Sequence, residues 1–424
     1  MRTGELKKKI REGAMSRYAH IYSDTEKQAQ RFIAAIESFE KRFGLDRDVC
    51  VFSVPGRSEI SGNHTDHNHG RVIAGAIDRD IIAVAAKNDE QVVRVLSEGY
   101  PEAAVEISDT ESPDNFEKYT SLSLIGGIIR AFINNSHNVG GYDAYATSEV
   151  LKGSGISSSA AYEVMIGNIM NHLYNGGSVA NEEIAKYSQY AENVFFGKPC
   201  GLMDQMACAV GGFVFIDFEN PKEPVVESIE FSLSDAGYSL CIVNTGGNHA
   251  DLNEDFASVP TEMKSVAKLL GREVLRGLCE EDITKNIGNL RRLVGDRAVL
   301  RALHFIRENE RVFAIRDSLK KSDINGFLAG VNASGRSSFQ YLQNVYTTVN
   351  VKEQGLSLAL ALAEGYLEGK GCAMRVHGGG FAGTIQAFVK NEYVDGFVSL
   401  MNSVFGEGAA MMFKIRPIGA CKLF

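Results

Sequence analysis

The sequence predicts an α+β protein of two domains. Three observations carry this. The chain has 424 residues, more than one typical core accommodates. Short strand-like and helical patterns are mixed in a way that favours an α+β or two-layer α/β architecture over a single doubly wound sheet. Apolar content of 44% and charged content of 23% are ordinary for a globular protein with packed cores.

Residues 1–48 are polar and carry a stripe, Phe32, Ile33, Ile36 and Phe39, at helical spacing. They form a helical lead-in that packs on the body. A strand follows at 50–54 and ends at Pro55-Gly56, a turn signal. Residues 57–70, RSEISGNHTDHNHG, make a polar loop dense in chemistry. Strands resume over 72–86, where 81–86 is nearly continuously apolar, and again at 92–96 and 104–107. The acidic segment 108–118 is a surface loop and 122–134 a helix. The stretch 151–163, LKGSGISSSAAYE, runs into a helix whose Ala161, Val164, Met165, Ile169 and Leu173 fall close to one face. A further helix covers 181–195, with Asn181 as its cap. Strands at 212–218 and 239–243 flank a boundary near 220, which separates a first domain, 49–220, from a second, 221–424. The second is largely helical over 250–345. It then shows a strand at 373–376, the glycine cluster HGGGFAG at 377–383, and a strand at 384–389.

Composition also excludes function classes. The net charge of −9, without a basic stripe, argues against a nucleic-acid partner. No apolar run has the length of a membrane span, and the first residues lack an apolar signal core. The seven cysteines are scattered without a CxxC, which fits reduced thiols in a cytoplasm.

Four constellations carry chemistry. A glycine-rich turn entering a helix is an anion site, because free N–H groups and the macrodipole both favour phosphate. Gly153, Gly155 and Ser157 to Ser159 fit that description, and equally fit a serine-capped helix; no lysine stands in the P-loop position. In the 57–70 loop, Arg57, Glu59, Asn63, His64, Asp66, His67 and His69 suit hydroxyl and phosphate binding better than zinc, whose spacing rules they miss. Asp204 lies among small and apolar residues, so it is partly buried and needs a partner, for which Arg57 is the candidate. It reads either as a general base or orienting group, or as a helix N-cap. Glu192 is either a Mg²⁺ ligand or part of a solvated helix face. Gly378 to Gly380 allow close approach to a phosphate or form a tight turn.

Together these stretches resemble the GHMP kinases and, within them, the galactokinase family. PGRSEISGNHTDHNHG is similar to the galactokinase signature, in which Pro-Gly-Arg is followed by Gly-Glu-His-Thr-Asp-Tyr-Asn. LKGSGISSSAAYEV resembles the phosphate-binding motif, CGLMDQMACAVGG the segment with the catalytic aspartate, and HGGGFAG the third glycine motif. The resemblance implies a first domain like ribosomal protein S5 domain 2 and a ferredoxin-like second domain, with ATP bound between them beside a sugar. It implies that Asp204 is catalytic with Arg57 beside it. Ser158 and Glu192 are then the Mg²⁺ ligands. Gly153, Ser154, Gly155, Ile156, Ser157, Ser158, Ser159 and Ala160 wrap ATP with Gly378, Gly379 and Gly380. Asn63, His64, Asp66 and Asp204 meet the sugar.

The implied activity is ATP-dependent phosphorylation of galactose at its anomeric hydroxyl. The partners are then the sugar and ATP, with no nucleic acid or membrane, in a cytoplasmic monomer or weak homo-oligomer. Several positions depart from the family. Asn63 stands where it has glutamate, His67 where it has tyrosine, Ser58-Glu59-Ile60 where it has Val-Asn-Leu, and Leu151 where it has proline. CIVNTGGNHADLNEDF matches a further family segment at Asn244, Thr245 and His249, without the tyrosine that follows there. These changes favour, as alternatives, another acceptor such as an amino sugar or a pentose, or a non-catalytic sugar and ATP sensor. Retention of Ser159-Ala160, Asp204 and Arg57 counts against the sensor.

Overall fold

The computed structural model describes residues 1–150, 155–247 and 252–424. They divide into two units: Met1–Arg57, Ala76–Gly212 and Arg416–Phe424 in the first, Ser58–Gly75 and Phe213–Ile415 in the second. One division, at 212/213, lies near the expected boundary at 220. The units are also interleaved in sequence, because 58–75 belongs to the second and 416–424 to the first.

In unit 1 the lead-in consists of α1 (Thr3–Arg11) and α2 (Thr25–Phe43). Asp24 caps α2 by accepting from the Lys27 N–H. Its apolar stripe is buried as the periodicity predicts: Phe32, Ile36 and Phe39 pack with Val51, Ile82 and Val84. The sheet strands are β1 (Cys50–Ser61), β2 (Arg71–Lys87), β3 (Val92–Ser97), β4 (Ala103–Glu106), β5 (Tyr142–Ser148) and, near the C-terminus, β12 (Cys421–Lys422). Their order is β12-β1-β2-β5-β3-β4. β2 pairs antiparallel with β5, Ile82 opposite Thr147, and β3 runs parallel to β5. Four helices pack in succession: α3 (Ser121–Asn134), α4 (Ser158–Tyr174), α5 (Asn181–Tyr190) and α6 (Met203–Val210).

A buried carboxylate joins the lead-in to the sheet and the C-terminal segment. Asp80 is 1% exposed. It accepts from Arg31 Nη1 of α2 at 2.6 Å, from Tyr22 Oη at 2.5 Å, from Arg416 Nη1 at 3.2 Å, and from Ser53. Burial pushes its carboxyl up, but Arg31 and Arg416 outweigh that and hold it below the usual range.

Two local expectations are corrected. Pro55-Gly56 is not a turn, since β1 runs through it. A Cβ at Gly56 would lie 2.7 Å from the Ile156 carbonyl oxygen, so glycine here admits the neighbouring backbone, and the Arg57 N–H donates to that oxygen at 3.1 Å. Asn181 does not cap α5, whose N-cap is Ala180. Its amide donates instead to the carbonyls of Ala209 and Ala420.

In unit 2, β6 (Phe213–Asp217) pairs with residues 71–75 of β2 on one side and with β7 (Val225–Ile229) on the other. A second sheet is antiparallel, in the order β11 (Ala410–Phe413), β8 (Tyr238–Asn244), β10 (Thr384–Lys390), β9 (Ala373–His377). The helical stretch comprises α7 (Asn253–Leu269), α8 (Glu280–Lys285), α9 (Ile287–Val294), α10 (Asp296–Lys320) and α11 (Ile324–Ser337). α12 (Gly355–Leu367) and α13 (Val394–Phe405) complete the unit, and Ala359, Ala363, Phe397 and Met401 pack on Val376, Ile385 and Ala387 of the sheet. Among the described residues no helix is long and apolar enough to cross a membrane.

Candidate active site

The motif residues fall into two clusters, one in each unit. In unit 1, Arg57 lies on β1 and is 8% exposed. Its Nε and Nη2 grip both oxygens of Asp204, at 2.7 and 2.5 Å, and Nη1 donates to the Gly155 carbonyl at 2.6 Å. Ser157 Oγ donates to the same carboxylate. Asp204 lies in the first turn of α6, and its carboxylate is taken up by Arg57 and Ser157. Burial pushes the Asp204 carboxyl up. The charge and hydrogen bonds of Arg57, then Ser157 and Lys198, outweigh this and hold it below the usual carboxylate range. It is therefore an ionised, oriented acceptor.

The glycine-serine stretch leads into α4. Gly155 has φ 74° and Ser157 φ 59°, a left-handed conformation that costs energy for a residue with a Cβ. That geometry sends the chain into the helix with Ser157 as N-cap and directs its hydroxyl to Asp204 rather than to the helix backbone. Ile156 and Ala160 are buried, whereas Ser158 and Ser159 are at least partly exposed in the first turn. Gly153, Ser154 and His249 lie outside the described residues.

Glu192 is not on a solvated helix face. It is 4% exposed and sits on a π-helical turn, Ala191–Phe196, that continues α5. Such turns re-aim side chains and recur at functional sites. Gln205, next to Asp204, donates from one nitrogen to Glu192 at 2.8 Å and to Glu163 at 3.1 Å, and Lys198 Nζ donates to Glu192 at 3.2 Å. Burial, and then the Glu192 charge, push the Glu163 carboxyl well above its ordinary value. Glu163 Oε1 and Gln205 Oε1 are buried without a hydrogen-bond partner among the described residues. This surplus of oxygens fits a hard cation better than an isolated fold would need. Gln205, Glu163 and Lys198 were missed from sequence. A polar side chain beside Asp204 in an apolar helix was the available signal.

In unit 2, the signature loop and the third glycine motif lie against each other. Asn63 is fully buried and makes polar contacts with Glu59, Gly378, Ser338 and Asn344. His64, at φ 59°, donates from Nε2 to the Gly379 carbonyl at 2.8 Å. Burial, together with His67, lowers its pKa to about 4, so it is neutral at pH 7. Asp66 is accessible, and its carboxylate accepts from the His67 N–H at 2.9 Å. Gly380 is required where it stands: φ is 82°, and a Cβ would lie 2.1 Å from the Asn344 carbonyl oxygen. Arg375 Nη2 donates to Glu59 at 3.1 Å, and His304 Nε2 to the Asn63 carbonyl at 2.9 Å. Asn344, Ser338, His304 and Arg375 carry no motif that marks them in the sequence.

Comparison with known proteins adds three findings. Residues 37–87 match the galactokinase galactose-binding signature, and residues 123–212 the GHMP kinases N terminal domain. A galactokinase from Glaesserella parasuis is 31% identical over 86% of this chain and 91% of its own length. One from Streptomyces coelicolor is 29% identical over 90% and 95%. Among solved structures, Lactococcus lactis galactokinase complexed with galactose superposes with a TM-score of 0.77 at 23% identity, covering 91% of this chain and 98% of that one. Methanococcus jannaschii mevalonate kinase gives 0.61 at 12%, covering 87% and 98%.

Proposed function

The chain belongs to the galactokinase family, with the GHMP kinase fold, and from that premise we propose that it transfers the γ-phosphoryl group of ATP to the anomeric hydroxyl of galactose. The observation that carries this reading is Asp204, ionised and held at both oxygens by Arg57. In that state it can accept the proton of the attacking hydroxyl or orient it. Arg57 keeps Asp204 ionised and offsets charge that spreads over the transferred group. The first turn of α4, with Gly155 and Ser157 to Ser159, offers N–H groups and hydroxyls to the phosphates. His64 and Asp66 supply polar groups for sugar hydroxyls.

Glu192 and Ser158 are the residues that would hold Mg²⁺, and the unpaired oxygens of Glu163 and Gln205 beside Glu192 support that assignment. When bound, the ion neutralises phosphate charge. Lys198, an exposed side chain, is the group that would yield its place on Glu192. The unpaired state of all seven cysteines supports a cytoplasmic setting.

The replacement of the family's glutamate by Asn63 keeps a second acceptor, an amino sugar or a pentose, in view. ADP release measured against a panel of free sugars decides between them, and turnover of another sugar with galactose inert would select the second reading. Asp204→Ala is expected to abolish sugar-dependent ADP release while the far-UV spectrum is kept. Undiminished turnover would overturn the assignment of Asp204.

A further inference from the structure

We infer that Asn63 is a positioning residue of the Gly378–Gly380 turn, acting through its backbone, and that Glu59 is its charge-bearing counterpart. An amide side chain has two N–H donors and two acceptor sites. At Asn63 all four are used within unit 2. Nδ2 donates to the Gly378 carbonyl at 2.7 Å and to Glu59 Oε1 at 3.1 Å. Oδ1 accepts from Asn344 Nδ2 at 2.7 Å and from Ser338 Oγ at 3.2 Å. Nothing is left for a sugar hydroxyl, and the residue is 0% exposed.

The consequence lies in the glycine turn. The C=O and N–H of a trans peptide point in opposite directions. Asn63 holds the Gly378 carbonyl, while His64 and Asn344 hold the Gly379 carbonyl at 2.8 and 3.0 Å. The N–H groups of Gly379 and Gly380 are thereby turned to the opposite face. Two successive N–H groups aimed one way form a concave anion-binding element. The signature loop thus sets donors of the third glycine motif.

Glu59 completes the pair. It is 6% exposed, and Arg375, 0% exposed, supplies its counter-charge. The family places asparagine at position 59 and glutamate at 63. This chain places the carboxylate at 59 and the amide at 63, and the amide donates to the carboxylate at 3.1 Å. A carboxylate at 63 in this chain would face Glu59 Oε1 and the Gly378 carbonyl and could donate to neither.

The test uses the full-length protein and rests on the kinase reading only in its kinetic arm. Asn63→Asp keeps the shape, removes both donors and adds a charge beside Glu59. Glu59→Gln/Asn63→Asp restores one charge and one amide, and remakes the 59–63 hydrogen bond in the reverse direction. It leaves the Gly378 carbonyl without its donor. Asn63→Asp is expected to lower the Tm and to weaken ATP binding about tenfold, the loss of one oriented hydrogen bond. The double variant is expected to recover the Tm while ATP binding stays weak. ATP affinity is read by calorimetry without turnover, so a wild type inert on every sugar would end the kinase reading and still leave this measurement decisive. KM for ATP against KM for sugar gives the second readout. The inference is overturned by recovery of ATP affinity together with the Tm, which reduces Asn63 to a folding role. It is equally overturned by an unchanged ATP affinity with a raised sugar KM, which makes Asn63 an acceptor contact.

Discussion

Arg57→Lys, with Arg57→Met as its neutral control, probes the charge pair at the centre of the reading. From three different nitrogens Arg57 donates to both oxygens of Asp204, at 2.7 and 2.5 Å, and to the Gly155 carbonyl at 2.6 Å. A lysine ammonium is a single nitrogen and cannot span both carboxylate oxygens and Gly155. Losing two of these charge-assisted bonds, at about 1.5 kcal/mol each, costs about 3 kcal/mol of orientation at Asp204. That corresponds to about a hundredfold in kcat/KM. Lysine keeps a positive charge, so Asp204 stays ionised and the acid limb of the pH–rate profile stays in place. The sign for Arg57→Met is opposite. Burial raises the Asp204 carboxyl and Arg57 is the largest influence lowering it. Without that charge the carboxylate protonates at higher pH, and activity is lost earlier as pH falls. The assay is kcat/KM from ADP release between pH 5 and 9, on the order of the range where such limbs are read. Wild-type kcat/KM in Arg57→Lys, or an unmoved acid limb in Arg57→Met, would show that Arg57 neither orients nor charges Asp204.

Two further predictions concern stability. Asp80→Asn leaves the buried guanidinium of Arg416 without its counter-charge and leaves Arg31 with Glu149 alone, at 3.3 Å. It is expected to cost about 3–5 kcal/mol in urea unfolding, the usual range for breaking one side of a buried pair. A loss under about 1 kcal/mol would show that Asp80 does not tie the lead-in to the sheet. Glu308, 0% exposed, accepts from Ser61, the Gly62 N–H and Ser334 and pairs with Arg311. Burial raises its carboxyl, but Arg311, His304 and Arg375 outweigh it and bring the value to about 2. A depressed carboxylate stabilises the fold above its unfolded value, about 4.3, and that contribution fades as pH falls toward the folded one. Glu308→Gln is therefore expected to be less stable at pH 7 and to show a flatter loss of stability through the acid range. Parallel acid-unfolding curves for the two proteins would contradict this.

Local order along the chain encodes a good part of this protein. The stripe Phe32, Ile36, Phe39 fixed α2 and its buried face. The glycines and serines of 153–159 marked the start of α4. A carboxylate at 204 among apolar neighbours required a cation, and Arg57 was identified from the chemistry of its loop. Motif order then led to the family. Other features needed the tertiary structure because their partners are remote in the chain. Pro55-Gly56 reads locally as a turn, and only the approach of residue 156 shows why it lies within a strand. Glu192 looks solvated until the π turn and Gln205 bury it. Asn63 meets Asn344 and Gly378 across 281 and 315 residues of chain, so no window of sequence shows that its amide is already spent. A sequence fixes which groups are available, whereas burial and long-range hydrogen bonding decide which of them remain open to a ligand.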